Sequence, residues 1–290
     1  MNDRAGGTPE ELERLLFGIR PRLHRFCARM LGSAIDGEDV AQDAVLKALE
    51  AFPHQSGILN LEAWVFRIAR NTALDFLRRR KREQLVPVDD EADFADPYMD
   101  TERGLQAAES LRQFMRLPPS QRASVILMDV IGYSLGEVAD ILETTIPAVK
   151  ASLHRGRERL QRIAAEPASA PLAELPHAEQ QRLADYVERF NARDFDALRT
   201  LLADDVRLHV RGERHFGPMA REYYTRYSSI FDVRLAPGII EGLPVALVYR
   251  NDVLSYFIAL DWRDDKITKI LDFRYAPYVL ESVVAVPIAA

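Results

Sequence analysis

The stretch LEAWVFRIARNTALDFLRRRKRE, Leu61 to Glu83, places Leu61, Trp64, Val65, Ile68, Ala69, Ala73, Phe76 and Leu77 at the i, i+3, i+4, i+7 spacing of one helical face. Such a stripe has to pack on something, so a core-facing helix is expected over Leu61 to Arg82. Its other face carries Arg67, Arg70, Asn71 and Arg78, and the helix runs out into Arg79, Arg80, Lys81 and Arg82. A helix C-terminus favours positive charge by up to about 1 kcal/mol, which does not require five consecutive, mutually repelling cations. A polyanion does, because each phosphate contact releases a counterion. Taken alone, the pattern also fits a core helix with a solvated basic end, and the flanking sequence has to discriminate.

At 290 residues the chain suits two or three domains, and 48% hydrophobic with 28% charged residues describes a globular protein with a sizeable core. It has no apolar run near the length of a membrane span and no signal-peptide pattern, so a cytoplasmic protein with no membrane partner is expected. The single cysteine, Cys27, lies among Phe26, Ala28, Met30 and Leu31 and reads as a small core residue. A net charge of -6 looks wrong for a nucleic-acid binder until it is divided. Residues 1–83 carry +2, 84–110 carry -7, 111–165 carry +3 and 166–290 carry -4. The acidity sits in a connector and a tail.

On the N-terminal side, Glu10 to Leu31 reads as a helix interrupted by Pro21, Gly32 to Gly37 as a turn, and Glu38 to about Phe52 as a second helix. That helix turns Val40, Ala41, Ala44, Val45, Ala48 and Leu49 inward and leaves Asp39, Gln42, Asp43 and Lys47 on a polar strip. A loop, Pro53 to Asn60, leads into the basic helix. The runs DGEDVAQDAVLKAL and AWVFRIARNTALDFLRRRKR resemble region two of bacterial sigma factors of the extracytoplasmic-function (ECF) group. The resemblance implies that the Asp39, Gln42, Asp43, Lys47 strip docks on core RNA polymerase. It also implies that the Trp64 to Arg82 helix, with the loop before it, captures and melts the minus-ten element of promoter DNA. Holding an opened strand takes backbone cations and polar side chains on base edges, which Arg67, Asn71, Arg78 and Arg79 supply. Trp64 lies on the apolar stripe and reads as core.

On the C-terminal side, residues 84–106 are aperiodic, acidic and contain two prolines, which describes a linker. A helix is expected over Ala107 to Leu117. Ser134 and Glu137 then form a capping box that opens a short helix through Leu142, Glu143 to Thr145 make a turn, and Pro147 sits in the first turn of the next helix. This is a helix-turn-helix pattern. In its second helix Ile146, Val149, Leu153 and Leu160 are expected to face the core, leaving Pro147, Lys150 and His154 nearer the bases and Arg155, Arg157 and Arg159 nearer the phosphates. LPPSQR, the box after Tyr133 and AVKASLHRGRERL resemble sigma region four, which reads the minus-thirty-five element. Ala148 and Ser152 depart from that family's usual Thr and Arg, which puts the promoter sequence read there in doubt.

PASAPLAELP, Pro167 to Pro176, is a spacer. Beyond it, helices are expected over Glu179 to Asn191, Phe195 to Leu202 and Pro218 to Phe231. Strands are expected at Val206 to Val210, Arg234 to Ile240, Val245 to Arg250, Val253 to Trp262 and Lys266 to Tyr275, with Asn251-Asp252 and Asp264-Asp265 as hairpin turns. Helices followed by a curled antiparallel sheet resemble the cone-shaped α+β SnoaL-like (NTF2-like) fold. Some members of that fold use an Asp/His pair, so Asp205, His209, His215, Tyr224, Trp262 and Asp272 are candidates for pocket groups. In VRLHV, however, the apolar residues share one face and His209 lies on the other.

The expected organisation is multidomain: two all-α sigma regions at 10–83 and 107–165, the second with the helix-turn-helix, linkers at 84–106 and 166–177, and an α+β SnoaL-like domain at 178–280. The expected function is that of an ECF sigma factor without cofactor, metal or catalysis, whose C-terminal domain modulates it by docking on the sigma regions or on the polymerase. Two alternatives are a helix-turn-helix regulator with a small-molecule-sensing C-terminal domain and a cone-fold enzyme with a DNA-binding leader. The first leaves the Asp39 to Lys47 strip unexplained, and the sequence offers the second no cofactor motif or metal-ligand cluster.

Overall fold

A computed structural model describes residues 8–84, 111, 113–165, 176–210, 213–216, 218–283 and 285–288. The acidic linker from residue 85, residues 107–110 and 112 of the helix expected over Ala107 to Leu117, and the spacer up to residue 175 lie outside these residues. The described chain forms two units, the first from the N-terminal and central helices and the second from the C-terminal region.

In the first unit, α1 (Pro9–Leu31) starts at a Thr8–Glu11 capping box and ends at Gly32, whose φ of 76° is the left-handed conformation that suits glycine. The expected interruption at Pro21 does not occur. One helical hydrogen bond is forfeited there, but buried Leu12, Leu16 and Ile19 before it and Leu23, Phe26 and Met30 after it hold both halves on one core. The second helix starts earlier than its sequence suggests: α2 (Ala34–Ala51) is capped by Ser33, and Gly37 lies inside it. A Cβ at Gly37 would stand 2.6 Å from the backbone of Ala28, so this glycine marks close packing of α1 against α2. Leu49, expected inside, is exposed.

Helix α3 (Leu61–Gln84) buries Ala63, Val65, Phe66, Ala69, Thr72 and Ala73. Phe66 is off the predicted stripe yet fully buried, because α3 is covered on two sides: its ring meets Phe26 of α1 edge-on at 5.7 Å and Tyr133 at 5.3 Å. Trp64 is half-buried against Phe52, in keeping with a structural role. The central helices follow as α4 (Pro119–Val125), a π-helical segment (Ile126–Ile131), α5 (Leu135–Leu142) and α6 (Ile146–Ala164). They share one apolar core with α1–α3, through Phe114, Leu117, Val125, Ile126 and Tyr133 among others.

The second unit contains α7 (His177–Asn191), α8 (Phe195–Thr200) and a seven-stranded sheet. Its strands are β1 (Leu202–Val210), β2 (Glu213–Phe216), β3 (Val233–Ile240), β4 (Leu243–Arg250), β5 (Val253–Arg263), β6 (Lys266–Asp272) and β7 (Val286–Pro287), in the order β2-β1-β6-β5-β4-β3-β7. The expectation of an antiparallel sheet fails at one ladder, since β1 and β6 are parallel. The chain between them passes through helices and four strands, an excursion long enough to return it in the same direction. Asn251 and Asp252 both have positive φ, as a tight hairpin turn of this hand requires. The helix expected over Pro218 to Phe231 is instead two short ones, α9 (Pro218–Arg221) and α10 (Tyr223–Tyr227), and Leu202 belongs to β1 rather than to α8. Tyr223, Tyr224 and Tyr227 all turn into the core from α10. The result is an α+β architecture, as expected for this part of the chain.

Candidate polymerase and nucleic-acid interfaces

Helix α2 presents its polar strip unevenly. Asp39, Gln42 and Asp43 are half-buried, whereas the Lys47 ammonium crosses to α3 and donates to Thr72 Oγ1 at 3.1 Å. The inner side of α2 is secured by Glu38, buried and ion-paired with Arg20 at 2.6 Å, and the imidazole of His24 lies 3.0 Å from the carbonyl of Ala34. Burial pulls the His24 pKa down to about 4, so the ring is neutral and its N–H donates to that carbonyl.

Along α3 the candidate DNA contacts divide into two kinds. Asn71, Arg78 and Arg79 are exposed, with Arg78 bonded to Asp75 at 2.9 Å and Arg79 lying over the Phe76 ring. Arg67 is engaged within the unit: it pairs with Glu143 at 3.0 Å and donates to the Asp140 carbonyl at 3.0 Å, both at the end of α5. Sequence reasoning missed Leu59, 96% exposed on the loop that leads into α3; an apolar residue beside Gly57, whose φ is 72°, was the available signal.

The helix-turn-helix forms as its sequence directs. Both halves of the Ser134–Glu137 capping box are made, Glu143 turns the chain with a φ of 53°, and Thr145 caps α6. Val149 and Leu153 are buried as expected and Leu160 is half-buried, but Ile146 is 43% exposed because the first turn of α6 projects beyond its support. Pro147, Lys150, His154, Arg155 and Arg159 are exposed, and His154 stands 3.6 Å from Glu158. Arg157 makes a forked contact with Asp129 of the π-helical segment at 2.5 and 2.9 Å, which raises its pKa.

The central helices are attached to α1 and α3 by polar groups that the sequence did not single out. Buried Arg122 donates to the carbonyls of Met30 at 2.6 Å, Met115 at 2.8 Å and Leu117 at 2.9 Å. Tyr133 donates to Glu62, which also binds Arg22 at 2.7 Å, and burial with the adjacent carboxylate raises the phenol's pKa.

Among the C-terminal candidates, Asp205 is exposed and paired with Arg263 at 3.0 Å, whereas Asp272 is buried. Tyr223 and Tyr227 donate to Asp272 at 2.7 and 3.1 Å, and Arg274 binds it through Nε at 2.8 Å. Burial disfavours the Arg274 charge, but Asp272 more than offsets this and the pKa of Arg274 is raised. Tyr224 bonds Tyr186 at 3.3 Å, half-buried Trp262 lies under Arg182, and His209 sits on the face opposite buried Val206, Leu208 and Val210. The side chain of His215 is outside the described residues. Among the described side chains, these groups are therefore not assembled around one open centre; Asp272 is the anion of a buried ion pair.

Two family models match the chain, Sigma-70 region 2 over residues 18–83 and Sigma-70 region 4 over residues 111–160. The ECF RNA polymerase sigma factor SigG of Mycobacterium tuberculosis is 31% identical over 294 aligned residues, covering 88% of this chain and 78% of SigG. The chain belongs to the ECF sigma factors. A second relative, M. tuberculosis SigM, is 33% identical over 49% of this chain and 71% of its own length. With 88% coverage, the SigG alignment runs past the helical regions into the C-terminal domain. The solved M. tuberculosis SigJ structure covers 90% of this chain and 95% of SigJ at 17% identity, with a TM-score of 0.36. As an ECF sigma factor, the protein binds core RNA polymerase and promoter DNA. Sigma factors direct initiation and leave nucleotide chemistry to the polymerase. Among the described residues no helix is long and apolar enough to cross a membrane.

Proposed function

We propose that α2 docks on core polymerase through Asp39, Gln42, Asp43 and Lys47, and that α3 holds and opens the minus-ten element through Arg67, Asn71, Arg78 and Arg79. Helix α6 enters the major groove of the minus-thirty-five element with Pro147, Lys150 and His154 nearer the bases and Arg155, Arg157 and Arg159 nearer the phosphates. The two regions act from residues 10–83 and 107–165, the linkers at 84–106 and 166–177 set their reach, and the domain at 178–280 modulates the yield of open complex at the cytoplasmic polymerase. The observation that carries this reading is the presence, in one chain, of two basic helix faces: one ends in five consecutive cations and the other is the second helix of a helix-turn-helix. For the C-terminal domain the support is its charge of -4 against +2 and +3 for the segments it would regulate. The element names place the two DNA sites about 25 base pairs apart, about 85 Å at 3.4 Å per base pair. Arg67 and Glu143, which touch here, therefore separate when both elements are engaged.

The test is in vitro transcription from a library of upstream sequences, with core polymerase and either the full chain or a chain ending near Ala165. Transcripts that appear only with the added chain are expected, and the truncation should change their yield. DNA binding without transcripts from either form would refute the initiation role, and equal yields from the two forms would refute the regulatory one.

A further inference from the structure

The end of α6 that would enter the groove first is apolar. The helix turns Val149, Leu153 and Gly156 into the unit, and a Cβ at Gly156 would stand 2.8 Å from Val125, so there is no freedom to roll. At 100° per residue, the positions opposite that buried line in the first two turns are Pro147 and Ala151, with Ala148 at one flank, Lys150 at the other and Ile146 nearer the buried line. Pro147 and Ala148 are exposed, Ala151 is half-buried and Ile146 is 43% exposed. Of the hydrogen-bonding side chains, Lys150 lies to one side, and His154 falls close to the Pro147–Ala151 line but about a turn beyond Lys150 from the end of the helix. Thr145 accepts from the Ala148 amide at 3.4 Å as the cap of α6, which holds its hydroxyl against the helix end.

Reading guanine or adenine in the major groove takes donors and acceptors such as Arg, Lys, Asn or Gln placed over the base edge, whereas an apolar side chain has one good partner there, the C5-methyl of thymine. We propose that the first two turns of α6 recognise thymine methyl groups in the minus-thirty-five element, with Pro147, Ala148 and Ala151 as the specificity-determining contacts. Lys150 then fixes the register from the flank and His154 from the turn beyond. This inference rests on the reading of α6 as the promoter helix.

The experiment uses the full chain with core polymerase. A promoter is selected from a random upstream library, and each thymine of its minus-thirty-five window is then replaced singly by deoxyuridine, which deletes the methyl and keeps the base pair. Loss of one buried methyl should weaken binding about fourfold at one or two positions. Ala151→Gly and Pro147→Ala should lower affinity for the thymine duplex while leaving the uracil duplex nearly unaffected, which separates lost contact from misfolding. If binding requires a defined upstream sequence but is indifferent to deoxyuridine at every position, methyl recognition is wrong and the promoter role of α6 survives. If no upstream sequence is selected and Lys150→Ala with Arg155→Ala changes nothing, the promoter role of α6 fails and this inference with it.

Discussion

Replacing Arg122 with Met tests how the helices of the first unit are held together. The guanidinium is 4% exposed and has three backbone carbonyls as partners, one of them Met30 at the C-terminal turn of α1 and two, Met115 and Leu117, on the approach to α4. Burial pulls its pKa down to about 10, so part of the bonding gain is already offset by desolvation. Methionine fills similar space and removes the buried charge, but leaves three acceptors facing an apolar side chain. At about 1 kcal/mol for each bare carbonyl, the loss is about 3 kcal/mol. Lysine should recover only part of it, because an ammonium on a flexible stem does not reproduce the planar fork. The assay is urea unfolding read from Trp64 in a Trp262→Phe background, which silences the only other tryptophan. A loss of that size should move the midpoint by about 1–2 M. A shift corresponding to less than about 1 kcal/mol would refute the claim that these carbonyls depend on Arg122.

Two further outcomes follow from buried polar groups. The folded-state pKa of His24 is depressed from 6.5 to about 4, so the stability it contributes is complete above pH 6.5 and is lost as the pH falls toward 4, at about 1.4 kcal/mol per unit; stability measured from pH 7 to 4.5 should fall less steeply for His24→Gln, and equal slopes would contradict the assignment. Asp272→Asn should leave the Arg274 charge buried without its counterion, with Arg274 11% and Asp272 0% exposed in their side chains, and cost about 3–5 kcal/mol in unfolding read from Trp262; a stability-neutral result would return Asp272 to the list of site residues.

Local signals carried most of what was legible in the chain. Ser134 and Glu137 sit three residues apart and bond each other's backbone, so their box needs no distant partner to be read. Likewise Asn251-Asp252 turns the chain through its own dihedrals. What escaped depends on residues far apart in sequence. Phe66 looks like a residue off the stripe until Tyr133 covers it, Gly37 looks like a turn until Ala28 is found against it, and β1 cannot be known to run parallel to β6 before the chain between them is placed. The candidate interfaces were legible as faces, because helical spacing fixes which residues project together. Occupancy was not: Arg67 and Arg157 project with their neighbours but are bound by Glu143 and Asp129.

That difference in occupancy has an energetic consequence for the proposed mechanism. The Arg67–Glu143 pair, with side chains 33% and 56% exposed, is worth no more than about 1 kcal/mol and opens readily. The contacts beneath it do not. Separating the regions by the distance between two promoter elements exposes the Phe66–Tyr133 edge, bares the Met30 carbonyl and strips Tyr133 from Glu62, a loss of several kcal/mol on the same reckoning used for Arg122. A partner shifts such an equilibrium only by as much as it prefers the open form, and each 1.4 kcal/mol of that preference is a factor of ten. On this reading core polymerase supplies the difference by binding the separated regions more tightly than the joined ones. Promoter engagement by the chain alone is then suppressed by the packing of its own core rather than by the visible ion pair at its surface.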